Sequence, residues 1–186
     1  MKGKLSIIKG KSMAVPQKKL REAVLQLLYS QELAGLEDEE IAPFLMAELS
    51  VPKRSMLECI EKARSVMDKF EEIDVLLEKT SKSYSFERIQ RVELCILRLG
   101  VYELFYDDEI PPKVAIAEAL RLARKFSTPE AATFVNALLD FIYKDSLGDS
   151  TDQSILLQVS ESLIQSEDLA EKAAQETNRG DDEAGS

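Results

Sequence analysis

The stretch Ile89–Tyr106, IQRVELCILRLGVYELFY, decides the fold. Ile89, Val92, Ile96, Leu97, Leu99, Val101, Leu104 and Phe105 recur at helical spacing and surround most of the helical cylinder. A helix that is apolar on most sides is enclosed by other helices. The spacing therefore predicts a central helix over Phe86–Tyr106.

Both flanks repeat the helical signal. Towards the amino terminus, Leu20, Ala23, Val24, Leu27, Leu28 and Gln31 fall at i, i+3, i+4, i+7 spacing after Pro16, and Gly35 ends the run. Glu39–Leu49 predicts a short helix with Ile41, Phe44, Leu45 and Leu49 inward and Pro43 in its first turn. Pro52 opens a longer segment whose stripe runs Met56, Ile60, Ala63, Met67, Phe70, Ile73 and Leu77, with a break near Phe70. The serine-rich stretch Thr80–Ser85 is a connector. Towards the carboxyl terminus, Pro111-Pro112 start a helix through Phe126. Thr128 then stands as an N-cap with Pro129 in the first helical position. Phe134, Val135, Leu138, Leu139 and Ile142 carry the last core helix. No alternating strand pattern interrupts these segments, so the fold class is all-α, about seven helices. The expected organisation is a flexible basic arm over 1–15 and a helical domain over 16–144. That domain splits into sub-bundles of roughly 16–80 and 81–144, and an acidic, partly helical or disordered tail covers 145–186. In the tail, Leu156, Val159 and Leu163 give Ile155–Leu169 the spacing of one further amphipathic helix, while Glu171–Ser186 has a disordered composition.

The net charge of −10 conceals a strong asymmetry. Met1–Arg21 holds seven Lys/Arg and no Asp/Glu. Met1–Lys144 is nearly neutral, with 22 basic and 23 acidic residues, whereas Asp145–Ser186 has 11 acidic and 2 basic. An acidic total is thus compatible with a nucleic-acid partner at the basic front end. The chain has no histidine, which removes the commonest general base and metal ligand. Neither a glycine-rich phosphate loop nor a CxxC pair appears. Cys59 and Cys95 lie within helical apolar patterns and read as small core residues. No apolar run approaches the ~20 residues of a membrane span. A cytoplasmic, non-enzymatic protein without cofactor or metal is expected.

Three ordered segments carry a family resemblance: REAVLQLLYSQEL at Arg21–Leu33, the stretch at Ile89–Tyr106, and PPKVAIAEALRLARKFSTPEAATFVNALLD at Pro111–Asp140. Together the chain resembles the NusB family over roughly 16–144. The resemblance implies two stacked small helical bundles and transcription antitermination. It further implies binding of boxA-type single-stranded RNA together with NusE, a ribosomal small-subunit protein, within the RNA polymerase antitermination complex. Family members also self-associate, so a homodimer is open. The acidic extension after Lys144 is not a general family feature.

Mapped by that resemblance, Lys18, Lys19 and Arg21 meet phosphates, releasing counterions. Tyr29, Gln31, Phe134 and Asn136 match positions near the RNA surface, where bases stack on aromatic faces. Phe134 also sits on the apolar side of its helix, and Tyr29 at a core rim, so packing stays an alternative for both. Glu87, Glu93 and Tyr29 match positions facing NusE. Two features depart from the family pattern: lysine dominates the arm where arginine is usual, and Thr133 replaces a basic residue before Phe134. They keep open a second reading, a helical scaffold that binds NusE or another protein but not RNA. The acidic tail folding onto the basic arm is a further expectation, motivated by opposite charge. Ribosomal-RNA cytosine methyltransferases carry a similar helical domain, but the 42 residues after Lys144 leave no room for their cofactor domain.

Overall fold

A computed structural model describes residues 15–149 and 152–183. The basic arm, Val15 excepted, lies outside the described residues. Eight α-helices and no strand are present among them: α1 (Gln17–Ala34), α2 (Asp38–Leu49), α3 (Lys53–Met67), α4 (Phe70–Thr80), α5 (Arg91–Phe105), α6 (Pro112–Phe126), α7 (Pro129–Ser146) and α8 (Ser154–Glu183).

Local chemistry sets most of the boundaries. Gly35, at φ 62°, ends α1 in a left-handed turn whose N–H donates to the Gln31 carbonyl. The Glu37 N–H at the start of α2 donates to Glu40 Oε2 at 2.9 Å. Pro43 sits inside that helix rather than in its first turn, because α2 begins at Asp38. Lys69, at φ −106° and ψ 4°, separates α3 from α4 near the expected break. Thr128 Oγ1 accepts from the Ala131 N–H at 3.1 Å and starts α7, with Pro129 first in the helix.

The central helix starts later than its periodicity predicts. Phe86–Arg88 is a single 3-10 turn, Ile89 and Gln90 are extended, and α5 opens only at Arg91. The extended step keeps Ile89 buried. Ile89 and Val92 remain three apart, so spacing alone cannot register the interruption. From Leu94 to Val101 every residue of α5 is buried.

α1, α2 and α3 pack on one another, α5, α6 and α7 form a second group, and α1, α3 and α4 lean on α5. Gly100 makes the crossing of α5 close: a Cβ there would stand 2.8 Å from Leu139 Cδ1 of α7. Arg98, buried on α5, donates two bonds to Asp74 of α4, at 2.8 and 2.7 Å, and one to Glu32 of α1 at 2.7 Å. Its guanidinium lies 4.0 Å from the Phe70 ring centroid. Cys59 and Cys95 are buried free thiols; burial pushes Cys59 up to about 11.

α8 packs along α7. It extends beyond the Ile155–Leu169 stretch whose spacing announced it. Leu156, Ser160 and Leu163 are its buried residues among the described side chains, and both leucines join the core cluster that contains Tyr84 and Phe134.

Candidate nucleic-acid and partner surfaces

The first turn of α1 exposes Lys18 and Lys19. Lys19 Nζ donates to the Leu49 carbonyl at 3.1 Å, which holds it over the end of α2. The Lys18 carbonyl accepts from Arg121 of α6, so the basic residues of α1 and α6 converge. Arg121 and Lys125 both donate to Glu22, each at 2.7 Å. Burial works to raise the Glu22 carboxyl, and these two bonds outweigh it, holding it below its ordinary value. Arg124 is exposed on the same last turn of α6.

An open groove of about 630 Å³ adjoins this basic edge. Tyr29, Phe44, Leu49, Val92, Lys125 and Phe126 line it. Tyr29 is half-buried at its rim, whereas Phe44 is 60% exposed. Four helices contribute to the groove, so no single segment of sequence announces it. Phe44, expected inward, is exposed instead because Leu45 beside it takes the core position, and Arg121, Arg124, Lys125 and Phe126 are surface residues that the sequence does not single out. The basic pair Arg124-Lys125 at a helix end was the available signal.

The remaining expected contact residues separate into different environments. Arg21 is turned inward, its side chain 11% exposed, and donates to Glu103 at 3.1 Å. Lys62 bonds both Glu103 and Asp107, completing an internal network. Gln31 donates to Asp38 at 2.5 Å, and Asp38 also accepts from Arg64 at 2.8 Å, so Gln31 ties α1 to α2 and α3. Phe134 is 1% exposed and packs on Tyr84, ring centroids 5.0 Å apart. Asn136 lies in the groove between α7 and α8.

The two acidic positions differ as sharply. Glu87 is exposed in the 3-10 turn. Glu93 is 3% exposed, Oε1 accepts from Ser127 Oγ at 2.6 Å, and Oε2 has no hydrogen-bond partner among the described residues. Burial pushes the Glu93 carboxyl above its ordinary value, with the Ser127 bond acting in the opposite direction.

Beside Glu93 the tail meets the core. Glu167 of α8 accepts from the Tyr84 hydroxyl at 2.5 Å and from Arg88 at 3.0 Å, and Asp168 stands 3.5 Å from Arg88. Ser160 and Ser83 hydroxyls are 2.9 Å apart. The described part of the tail therefore docks on α7 and the Tyr84–Arg88 turn rather than on the first turn of α1. Among the described residues no cluster of His, Cys, Asp and Glu suits a metal ion. No described helix is long and apolar enough to cross a membrane.

A central helix wrapped by two helical groups, with basic edges and an aromatic groove, defines a helical binding factor. Residues 18–144 match the model of the NusB family. The chain is 35% identical over 144 residues to transcription antitermination protein NusB of Chlamydia pneumoniae, covering 77% of this chain and 90% of that relative. The solution structure of NusB from Aquifex aeolicus resembles it at a TM-score of 0.60 and 28% identity, over 73% of this chain and 93% of that one. A chain in a crystal structure of antitermination factors NusB and NusE in complex with dsRNA has the same TM-score, 0.60, at 28% identity, over 69% of this chain and 96% of that one. The chain belongs to the NusB family. α8 lies beyond the matched residues.

Proposed function

We propose that the protein is a transcription antitermination factor that binds boxA-type single-stranded RNA together with NusE in the RNA polymerase antitermination complex. The family match over the helical core carries this reading. The surface geometry supports it: among the described residues, Lys18 and Lys19 stand free of carboxylates at the edge where α1 and α6 meet. Cations there attract phosphate by releasing condensed counterions, which makes affinity fall steeply with salt. The groove beside them offers Tyr29, Phe44 and Phe126, aromatic surface of the kind that recognises unstacked bases or anchors a protein partner. Arg21 and Gln31 contribute to this surface through the fold, as internal ties, and not by direct contact.

Fluorescence anisotropy of a boxA-like RNA, with and without NusE and at two salt concentrations, tests the reading. Salt-sensitive binding that NusE strengthens is expected. Replacing Lys18 and Lys19 with alanine should weaken binding and reduce the salt slope by roughly one for each phosphate left without its cation. The scaffold reading rests on Thr133, exposed where the family pattern places a basic residue. Association with NusE without RNA binding above a scrambled control would establish it.

A further inference from the structure

The side of α7 that meets α8 is covered by a segment of the same chain, and the covering contacts have a specific chemistry. Arg88 is flanked by two α8 carboxylates, Glu167 at 3.0 Å and Asp168 at 3.5 Å. Its guanidinium also stands 5.8 Å from the centroid of the Tyr84 ring. Tyr84 is fully buried, packs on Phe134, and closes its hydroxyl end on Glu167. A guanidinium and two packed aromatic rings are groups with which proteins hold single-stranded RNA. Arginine takes phosphate and rings take base faces. Here the phosphate-seeking group is satisfied by carboxylates.

We propose that α8 is an acidic intramolecular occupant of the α7 surface at Phe134 already matched to RNA, and that single-stranded RNA displaces it to reach Arg88, Tyr84 and Phe134. The inference rests on the RNA-binding reading above and adds to it a means of control.

The seating of α8 matches that role. Among its described side chains only Leu156, Ser160 and Leu163 are buried, while Ile155, Leu157 and Leu169 remain at least half exposed. Shallow grooves run beside it, one of about 410 Å³ lined by Asn136, Phe141 and Ile155 and one of about 310 Å³ lined by Thr133 and Gln158. The helix is thus fastened by Leu156 and Leu163, by the half-buried Val159 and Ile164, and by a short polar row, Ser83–Ser160 and Tyr84–Glu167–Arg88.

The full-length chain with Ser83→Cys and Ser160→Cys tests the proposal, because the two hydroxyls already meet and an oxidised pair would fasten α8 in place. The probe is a labelled boxA-like single-stranded RNA, with thermal melting to check the fold. The reduced form is expected to bind at least tenfold tighter than the oxidised form. The wild-type chain, whose cysteines are both buried, should be unchanged by the same treatment. Full-length Leu163→Asp, which loosens α8 without a disulfide, should bind tighter than wild type. Equal affinity of oxidised and reduced forms, with no gain in Leu163→Asp, overturns the proposal while leaving RNA binding at α1 intact. RNA binding by none of these forms removes the RNA reading itself, and the proposal with it.

Discussion

Glu93 stands where the end of α6 meets the start of α5, and its unpaired Oε2 gives the fold a direction in pH. Its carboxyl is raised in the folded chain, chiefly by burial, so the folded state retains that proton to higher pH than the unfolded state. A raised acid contributes stability below its unfolded value and loses it as pH rises through the folded value. Melting of wild type and Glu93→Gln between about pH 4 and 8 should therefore diverge, the wild type losing ground as pH rises. A parallel pair of curves would place the Glu93 charge in solvent instead. Gly100 supplies a second test at this scale. Alanine would gain about 1 kcal/mol of helix propensity but would press its Cβ on the buried Leu139, an overpacking cost of about 1–3 kcal/mol. The second term is the larger, and urea unfolding of Gly100→Ala should show a net loss of about 1 kcal/mol. At this scale legibility depends on sequence distance. The Thr128 cap is readable because its partner is Ala131, whereas Arg21 reads as a phosphate ligand because Glu103, 82 residues away, leaves no local sign of itself.

Helices are legible where their stripe meets a single face of the core. α1, α3 and α6 follow their apolar spacing closely, and α7 does so on its core side while α8 covers another. α5 does not yield its start, because Ile89 is buried through an extended step that preserves the helical count. α4 is the element whose position spacing says least about, and a long side chain from elsewhere fixes it. Arg98 reaches from α5 to Asp74 of α4 and Glu32 of α1 while covering the Phe70 ring. Removing a buried cation strands its carboxylates, a loss of about 3 kcal/mol where they are fully enclosed, and somewhat less here because Glu32 and Asp74 keep about a fifth to a quarter of their exposure. Arg98→Ala should lower stability by about 2 kcal/mol and accelerate amide exchange in α4 more than in α6. Uniform acceleration across all helices would show that Arg98 supports the whole core and not the seat of α4.

For the molecule as a whole, composition identifies the acidic tail and the basic front but not where the tail settles. Opposite charge points it towards the arm; apolar leucines and one arginine place its described part on α7. The aromatic groove is invisible in the sequence for a related reason, since it exists only where four helices meet. The short connector between Ser146 and Ser154 also sets a threshold. A ligand tethered by so little chain faces its site at an effective concentration of about millimolar. A dilute RNA arriving alone competes with that local excess at a disadvantage of about a thousandfold if RNA is micromolar. On the proposal above, an RNA already held elsewhere on the same protein would itself be tethered and would meet α8 on equal terms. Entry to the α7 face would then depend on what was bound first, making the chain a reader of order as well as of sequence.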